Sequence, residues 1–212
     1  MIYLIDSIMR DVRIALDQNM VNDNLSSIGD IDTLTVNEII HSKIEEAVKR
    51  VHSAAPHHLL DSGNNFGDAI YWQEHESGWV LLPEDFMRLL VFEMSDWKTA
   101  VFNAEFVDSP EYAKQRSKFK GIRGSIQNPK CFIVIRPEGK ALEFYSSKST
   151  EAYVRRAVYL PYPIINEENN SIDVCEKCYP AVIYMIAALV LATFGDYDKS
   201  KIFNELVKSV LI

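Results

Sequence analysis

The chain has 212 residues and a formal net charge of −8, with 48% hydrophobic and 25% charged residues. This length suits one domain, or one core with an appendage, and the composition excludes collagen-like and linker-dominated chains. Because phosphate binding needs a positive surface, the overall charge argues against a protein that coats nucleic acid with its whole surface.

The first part of the chain is predicted to be helical. Apolar residues recur at helical spacing over residues 2–18, and charged residues interrupt the continuous apolar stretch that a signal peptide needs. Residues 18–32 lack periodicity and are predicted to form a loop. Thr35 and Glu38 have the spacing of a capping box, which predicts a helix that begins at Thr35 and ends before Pro56.

A strand pattern replaces the helical one from Ala69 onward. Pro83 indicates a tight turn, Pro137 begins a hairpin turn, and the Ser109-Pro110 pair predicts the start of a short helix. The predicted strands are residues 70–72, 79–82, 88–94, 131–136, 141–146 and 153–160.

The end of the chain is again predicted to be helical. Asp173 or Val174 opens a helix that runs through the apolar residues 181–194, and Asp196 caps a last helix. A membrane-spanning helix needs about 20 apolar residues, so this shorter run predicts a buried core helix. The expected apolar stripe of the last helix is Ile202, Phe203, Leu206, Val207, Val210 and Leu211.

Helices, then strands, then helices are typical of an α+β fold. We expect a helical bundle from the N- and C-terminal helices with a central antiparallel β unit. The expected boundaries are 1–66 for the N-terminal helices, 67–165 for the β unit with a short helix and a basic loop, and 166–212 for the C-terminal helix pair.

Charge is concentrated in one stretch. Residues 114–136, the basic segment, contain seven basic residues and no acidic one. Since the whole chain has a net charge of −8 and the segment has +7, the remaining residues have a net charge of −15. Such asymmetry indicates a contact surface for nucleic-acid phosphates, or for the acidic face of a neighbouring copy in a head-to-tail ring, rather than an incidentally biased solvated loop. The seven are Lys114, Arg116, Lys118, Lys120, Arg123, Lys130 and Arg136, the first six being the expected interaction residues.

The three cysteines, of which Cys131 stands apart, are too few for a disulfide framework, which favours a reducing compartment. Cys175 and Cys178 form a C-x-x-C at a predicted helix start, where the helix dipole lowers a thiol pKa. A zinc site needs four ligands and no second C-x-x-C exists, although His52, His57 and His58 offer nitrogen donors. We favour two small residues of a core helix for the cysteines, and capping or solvated roles for the histidines.

Paired acids and clustered aromatic residues are the remaining candidates. The acidic pairs at 45–46, 84–85 and 167–168 are expected on solvated faces rather than in acid–base catalysis. Six aromatic residues within 27 positions favour core packing over a base-stacking platform. They are Tyr71, Trp72, Trp79, Phe86, Phe92 and Trp97.

Three segments resemble the neck or head–tail adaptor proteins of short-tailed phages, of the tail tubular protein A and connector-adaptor type. LPEDFMRLLVFEMSDW at 82–97 is similar to the entry into their β unit, and RPEGKALEFYSS at 136–147 to their late hairpin. The stretch at 175–211 is similar to their closing helix pair. The first segment supplies the expected docking motif, which is Pro83, Asp85, Phe86, Arg88 and Trp97.

The resemblance implies a non-enzymatic phage or prophage protein, located in the virion or the host cytoplasm. It implies a homo-oligomeric ring between portal and tail proteins, with DNA passing through without specific binding, and no cofactor, metal or membrane. Two alternatives remain from the residues themselves. One is a nucleic-acid-binding module that uses the basic segment, and the other is a C-x-x-C redox or metal protein.

Overall fold

The structure, a computed structural model, describes residues 1–16, 34–60, 63–74, 76–117, 119 and 121–212. The chain divides into two compact units. Residues 1–61 and 163–212 form the first, which we call the helical unit, and residues 62–162 form the β unit. The divisions thus lie at 61/62 and 162/163, where the sequence placed them at 66/67 and 165/166.

Ten strands, five helices and two short 3-10 turns make up the described residues. In chain order they are β1 (Ile2–Leu4), α1 (Ile5–Ala15), α2 (Val36–Ala54), the turn His57–Leu59, β2 (Asn64–Asn65), β3 (Ile70–Gln73), β4 (Ser77–Leu81), β5 (Phe86–Met94), β6 (Glu105–Phe106), α3 (Pro110–Gln115), β7 (Lys130–Arg136), β8 (Gly139–Tyr145), β9 (Val154–Pro161), β10 (Ser171–Asp173), the turn Glu176–Cys178, α4 (Tyr179–Thr193) and α5 (Tyr197–Val210). The predicted α+β class is confirmed.

Helix α4 is the centre of the helical unit, where it packs against α1, α2 and α5. Its buried residues lie on several sides of the helix, which is why its sequence is apolar nearly all round. The stretch Glu176–Thr193 is long and apolar enough, by length and composition alone, to cross a membrane. In the described unit, the inward residues of α4 lie against the three neighbouring helices.

The sequence located most elements of this unit but misplaced two ends. The Thr35–Glu38 capping box is confirmed at the start of α2, and the Asp196 side chain accepts from Lys199 N–H at the start of α5. Residues 2–4, predicted as helix, are strand β1, which pairs antiparallel with β10, and α4 begins at Tyr179 rather than at 173 or 174. Strands of three residues are too short for a periodic signal, and their pairing spans most of the chain.

The predicted apolar stripe of α5 is only partly buried. Of its six residues only Val207 is buried, whereas Ile202 is 58% and Leu206 40% exposed. Helix α5 packs along α4, where the Ser200 hydroxyl donates to the Ala188 carbonyl at 2.8 Å. The part of the stripe turned away from α4 therefore stays at the surface. The predicted loop 18–32 lies outside the described residues.

Two sheets share the core of the β unit. One has the order β2-β9-β5 and the other β3-β4-β8-β7-β6. Phe86, Phe92 and Tyr159 from the first sheet pack with Leu142 and Phe144 from the second in a single buried cluster. Among the described strands of this unit, the pairings are antiparallel except that of β6 with β7, which is parallel, so the expected antiparallel unit is corrected to a mixed one.

Loss of the α2 cap is expected to lower stability without changing the fold. The Thr35 hydroxyl accepts from Glu38 N–H at 3.3 Å, and the Glu38 carboxylate accepts from Thr35 N–H at 2.7 Å. Thr35→Ala should lower the free energy of unfolding by about 1 kcal/mol, because the hydroxyl that accepts from Glu38 N–H is removed. Urea unfolding measures the loss, and Thr35→Ser, which keeps the hydroxyl, should behave as wild type. Equal stability of Thr35→Ala and wild type would contradict the role of the cap.

Candidate interaction surface

The basic segment begins on α3, crosses a loop and ends on β7. Lys114 forms an ion pair with Glu111 on the same helix, and the Arg116 guanidinium lies 5.7 Å from the centre of the Tyr112 ring. Arg123 and Lys130 are half-buried, whereas Lys118 and Lys120 lie outside the described residues. The segment therefore begins with two side chains that are already engaged on α3.

A buried glutamine closes the loop. Gln115 is 3% exposed, and its Oε1 accepts from Gly124 N–H at 2.7 Å while its Nε2 donates to the Glu111 carbonyl at 3.0 Å. The backbone at Gly124 runs so close to β8 that a Cβ there would lie 2.7 Å from the Tyr145 carbonyl oxygen. These contacts fix both ends of the stretch between α3 and Gly124.

Arg136, the last basic residue of the segment, is engaged with a buried carboxylate. Its guanidinium lies 2.8 Å from Glu143 Oε2, and Glu143 is only 2% exposed. The hydroxyl of Tyr145 donates to the other carboxylate oxygen, and that of Tyr112 lies 3.4 Å from Oε2. Burial, with the hydrogen bond to Glu143, raises the pKa of Tyr145 above its ordinary range. The charge of Arg136 is therefore compensated inside the fold.

This cluster was not found from the sequence. The one sequence feature that pointed to it was a glutamate, Glu143, inside the predicted strand 141–146, where all the residues from 141 to 145 are buried in the structure. Register across the hairpin sets Phe132 opposite Glu143 and Arg136 opposite Gly139, which brings the two charges onto one face. A local pattern does not show which distant tyrosines complete the site.

Charge differs between and within the two units. The helical unit has 17 acidic and 9 basic residues, a net −8, and the β unit has 13 of each. Within the β unit, residues 62–87 contain five acidic residues and no Lys or Arg, whereas the basic segment contains seven basic residues and no acidic one. The first stretch builds β3 and β4, at one side of the five-stranded sheet, and the second reaches β7, at the other side. The β3 side of the sheet therefore carries acidic residues, whereas the β7 side carries the basic segment together with Glu105, Asp108 and Glu111.

The expected docking motif is largely structural. Phe86 and Trp97 are 2% and 4% exposed and belong to the core, so their proposed place on a docking surface is corrected. Asp85 holds the turn after Pro83, because its Oδ1 accepts from the Tyr159 hydroxyl and its carbonyl accepts from Tyr162 N–H, both at 2.7 Å. Those bonds explain why this acid follows a proline at the start of β5.

Arg88 is the second docking residue on β5, after Phe86. It is half-buried, and burial lowers the pKa of its guanidinium. Of the five docking residues, Pro83, Asp85 and Arg88 thus keep part of their surface in contact with solvent. Docking by this segment stays a prediction for those three.

Core packing is confirmed for most of the aromatic set. Trp79, Phe86, Phe92 and Trp97 are buried. Tyr71 is 44% exposed and stacks on Trp79 with ring centres 4.1 Å apart. A base-stacking platform built from these rings is therefore not exposed in this fold.

The cysteines and histidines take structural positions. Cys131, Cys175 and Cys178 are buried and form no disulfide among the described residues, and burial raises the pKa of Cys131 above its ordinary range. His52, expected to be solvated or capping, is 3% exposed, and its Nε2 accepts from Cys175 N–H at 3.2 Å. Among the described residues, no three His, Cys, Asp or Glu side chains form a group that could hold a metal ion. Because Cys175 and Cys178 are both buried, a thiol or disulfide partner from solvent cannot reach them for thiol exchange.

The acidic pairs are mostly solvated. Both residues of 45–46 and of 167–168 are exposed, as expected, and in the third pair Glu84 is exposed but Asp85 is half-buried by the bonds described above. Glu46 pairs with Arg50 one helical turn away, at 2.5 Å.

The fold and surface define an α+β protein of two compact units with charge separated across one sheet. No protein-family model matches the chain, and no curated protein matches it.

A methyl group at Gly124 should disturb the closed loop. Gly124→Ala forces the loop away from Tyr145, and we expect the free energy of unfolding to fall by about 1–3 kcal/mol. The amide of residue 124 should then exchange faster with solvent. Gly121→Ala is the matched control, because a Cβ at Gly121 meets nothing within 4 Å. If both variants unfolded alike, the contact with Tyr145 would have no energetic role.

Alkaline pH should destabilise the protein through Tyr145. Because its folded pKa is raised, the neutral hydroxyl is favoured by folding, so this stabilisation is complete below the unfolded tyrosine pKa of about 10 and is lost as pH rises above it. Tyr145→Phe should make the decline between about pH 9 and 11 shallower. Urea unfolding across that range measures the slope, with Tyr197→Phe, at a position 71% exposed, as the control. An unchanged slope in Tyr145→Phe would contradict this assignment.

Proposed function

We propose that the protein is a non-enzymatic structural adaptor of a phage or prophage virion, whose copies associate head to tail into a ring between portal and tail proteins. The sequence resemblance gives the class of protein. The observation that carries the proposal is the separation of charge, with a helical unit of net −8 and a positive side on the β unit.

A head-to-tail ring needs two different surfaces on each copy, because the contact is heterologous. Like-charged surfaces repel, so a copy with one acidic and one basic surface favours this contact over a two-fold contact between identical faces. The basic segment supplies the positive surface, and the acidic residues of the helical unit or of residues 62–87 supply the negative one. Such pairs steer association over roughly a Debye length, about 8–10 Å at moderate salt.

The same charge suits a passage for DNA. A ring that conducts DNA must not hold it, and a negative lumen repels phosphates. On this proposal, the helical unit faces the portal and neighbouring copies, the β unit faces the tail, and the basic segment lies at a contact between copies. DNA is then a transient occupant rather than a specific ligand.

A nucleic-acid-binding module remains the second candidate, because the basic segment also exposes apolar side chains. Phe119 is 73% and Ile122 is 51% exposed between the cations of the loop. An exposed aromatic ring among basic residues is the pattern that proteins use to stack single-stranded bases. The internal pairing of Lys114 and Arg136 reduces the charge that the segment offers to phosphates.

Charge reversal in the basic segment should weaken self-association. Arg123→Glu with Lys130→Glu places two acids on the positive surface, and we expect the dissociation constant to rise at least about ten-fold at low salt. Light scattering and native mass spectrometry, alone and with a portal protein, measure the assembly. Lys148→Glu with Arg156→Glu, two exposed basic residues outside the segment, is the matched control. A chain that stays monomeric and also binds no portal would overturn the proposal.

Filter binding across a salt series separates the two candidates. A nucleic-acid-binding module should bind single-stranded oligonucleotides at low salt, with log affinity falling by about 0.7 per phosphate contact against log salt. The same double variant and Phe119→Ala should then each weaken binding. Affinity that is absent at low salt excludes this candidate and leaves the adaptor.

A further inference from the structure

The five-stranded sheet of the β unit is open at two edges. Strand β6 covers β7 only at Phe132 and Ile133, so no strand of the described residues lies beside 134–136 on that side. At the other edge, β3 pairs with β4 alone, and no described strand covers its outer side. Open edges present unpaired N–H and C=O groups to other chains.

The hydrogen-bond alternation shows which residues present those groups. The two-residue turn makes Arg136–Gly139 a bonded pair, so Val134–Ala141 is bonded too, and the N–H and C=O of Ile135 point away from β8. The same alternation, carried through the β8–β4 and β4–β3 registers, leaves the main-chain groups of Ile70 and Trp72 pointing out from β3.

The two edges match in direction and in face. Strands β3, β4, β8 and β7 are an even number of antiparallel strands, so β3 and β7 run in opposite directions. Ile135 lies on the same face as Ile133, which packs against the main core, and Trp72 also packs against that core. When β3 of one copy lies beside β7 of the next, the antiparallel alternation and the face of the side chains both continue without a break.

The β7 edge also carries apolar surface. Ile135 is 89% exposed, Phe106 60% and Val107 49%. Together with Tyr112 and Arg136 they line a groove of about 380 Å³ beside the uncovered part of the strand. A groove of this kind beside an open edge provides main-chain bonds for affinity and space for side chains of an added strand.

Charge identifies the occupant as a second copy. Asp68, Glu74 and Glu76 flank β3, and no Lys or Arg occurs between 62 and 87. The groove beside residues 134–136 is lined by two cations, Arg136 and Lys140, and by no acidic residue, while Glu138 lies in the adjoining turn. The acidic edge of one copy thus complements the cation-lined groove of another, whereas two acidic edges repel.

We infer that β3 of one copy pairs antiparallel with residues 134–136 of β7 in the next copy, so that the sheet continues from subunit to subunit. Trp72 then lies opposite Ile135, and Tyr71 opposite Arg136. The register with Ile70 opposite Ile135 is excluded, because it would place Trp72 against Ile133, where β6 already lies. This inference rests on the proposed self-association and specifies its interface.

The test uses two variants that each block one edge. Ile135→Lys adds a charge to the β7 edge at a position that is 89% exposed, and Tyr71→Lys replaces an aromatic ring on β3 with a cation that meets the groove lined by Arg136 and Lys140 of the next copy. Native mass spectrometry should show each variant alone as a monomer under conditions where wild type assembles. An equimolar mixture should form a 1:1 dimer and nothing larger, because it combines one intact β3 edge with one intact β7 edge. Ile164→Lys and Tyr153→Lys, at positions 67% and 65% exposed, are the matched controls and should assemble as wild type.

Hydrogen exchange on the wild-type protein gives an independent readout that needs no variant. The amides of Ile135 and Trp72 should exchange slowly in the assembled protein and at least about ten-fold faster in the dilute monomer. Circular dichroism melting shows whether each variant is folded. If Tyr71→Lys is unfolded, hydrogen exchange on the wild-type protein decides whether the sheet edges form the interface.

The outcomes separate this inference from the proposed function. If Ile135→Lys assembles as wild type, or these two amides gain no protection, the sheet edges are not the interface while self-association stands. If the mixture stays monomeric, or either variant alone forms dimers, the head-to-tail pairing is wrong. A wild-type protein that is monomeric up to roughly 1 mM overturns the inference, and one that also fails to bind a portal protein overturns the function with it.

Discussion

The hydrogen-bonded pairing of the buried Glu143 carboxylate is the interaction on which one face of the five-stranded sheet depends, the face that carries Phe132 and Tyr145. A carboxylate removed from water is costly unless it is paired and hydrogen-bonded, and Glu143 meets this requirement with Arg136, Tyr145 and Tyr112. Tyr112 lies on α3, so the requirement also fixes the helix against the sheet. Because α3 starts the basic segment and Arg136 ends it, one buried group sets both ends of the positive surface.

This arrangement separates two kinds of basic residue that look alike in the sequence. Arg136 forms an ion pair with the buried Glu143, and Lys114 forms one with Glu111 on its own helix. Arg123 and Lys130 lie between them, on a loop held by Gln115 and Gly124 and on the first residue of β7. A positive surface presented by a closed loop costs less ordering on association than one presented by a free chain.

The sequence predicted those elements whose cause is local. Thr35 and Glu38 carry a cap within four residues, and Pro137 carries a turn, so α2 and the β7–β8 hairpin were found with nearly correct bounds. The pairing of β1 with β10 and the exposure of Ile202 depend on partners far along the chain. No local period contains that information.

The candidate surface shows the same division. Charge asymmetry located the basic segment without structural help, because it needs only a count along the chain. Phe86 and Trp97 were assigned to a docking surface by resemblance but to the core by the clustering of aromatic residues, and their burial agrees with the second prediction. The Arg136–Glu143 pair needed the register of the hairpin before either charge could be assigned a partner.

Charge and strand edges act over different distances, which gives association an order. Opposite charges attract across about a Debye length and set which faces meet, whereas main-chain hydrogen bonds form only at about 3 Å and fix the register. Surface charge pairs alone contribute little net stability, so steering without a bonded edge gives a fast but weak encounter. An open edge without charge lacks selectivity instead, since it can pair with any exposed strand. In the self-association proposed above, the β unit would bring both features to the same two sides of one sheet, and the acidic β3 edge would select the groove lined by Arg136 and Lys140 before the strands pair.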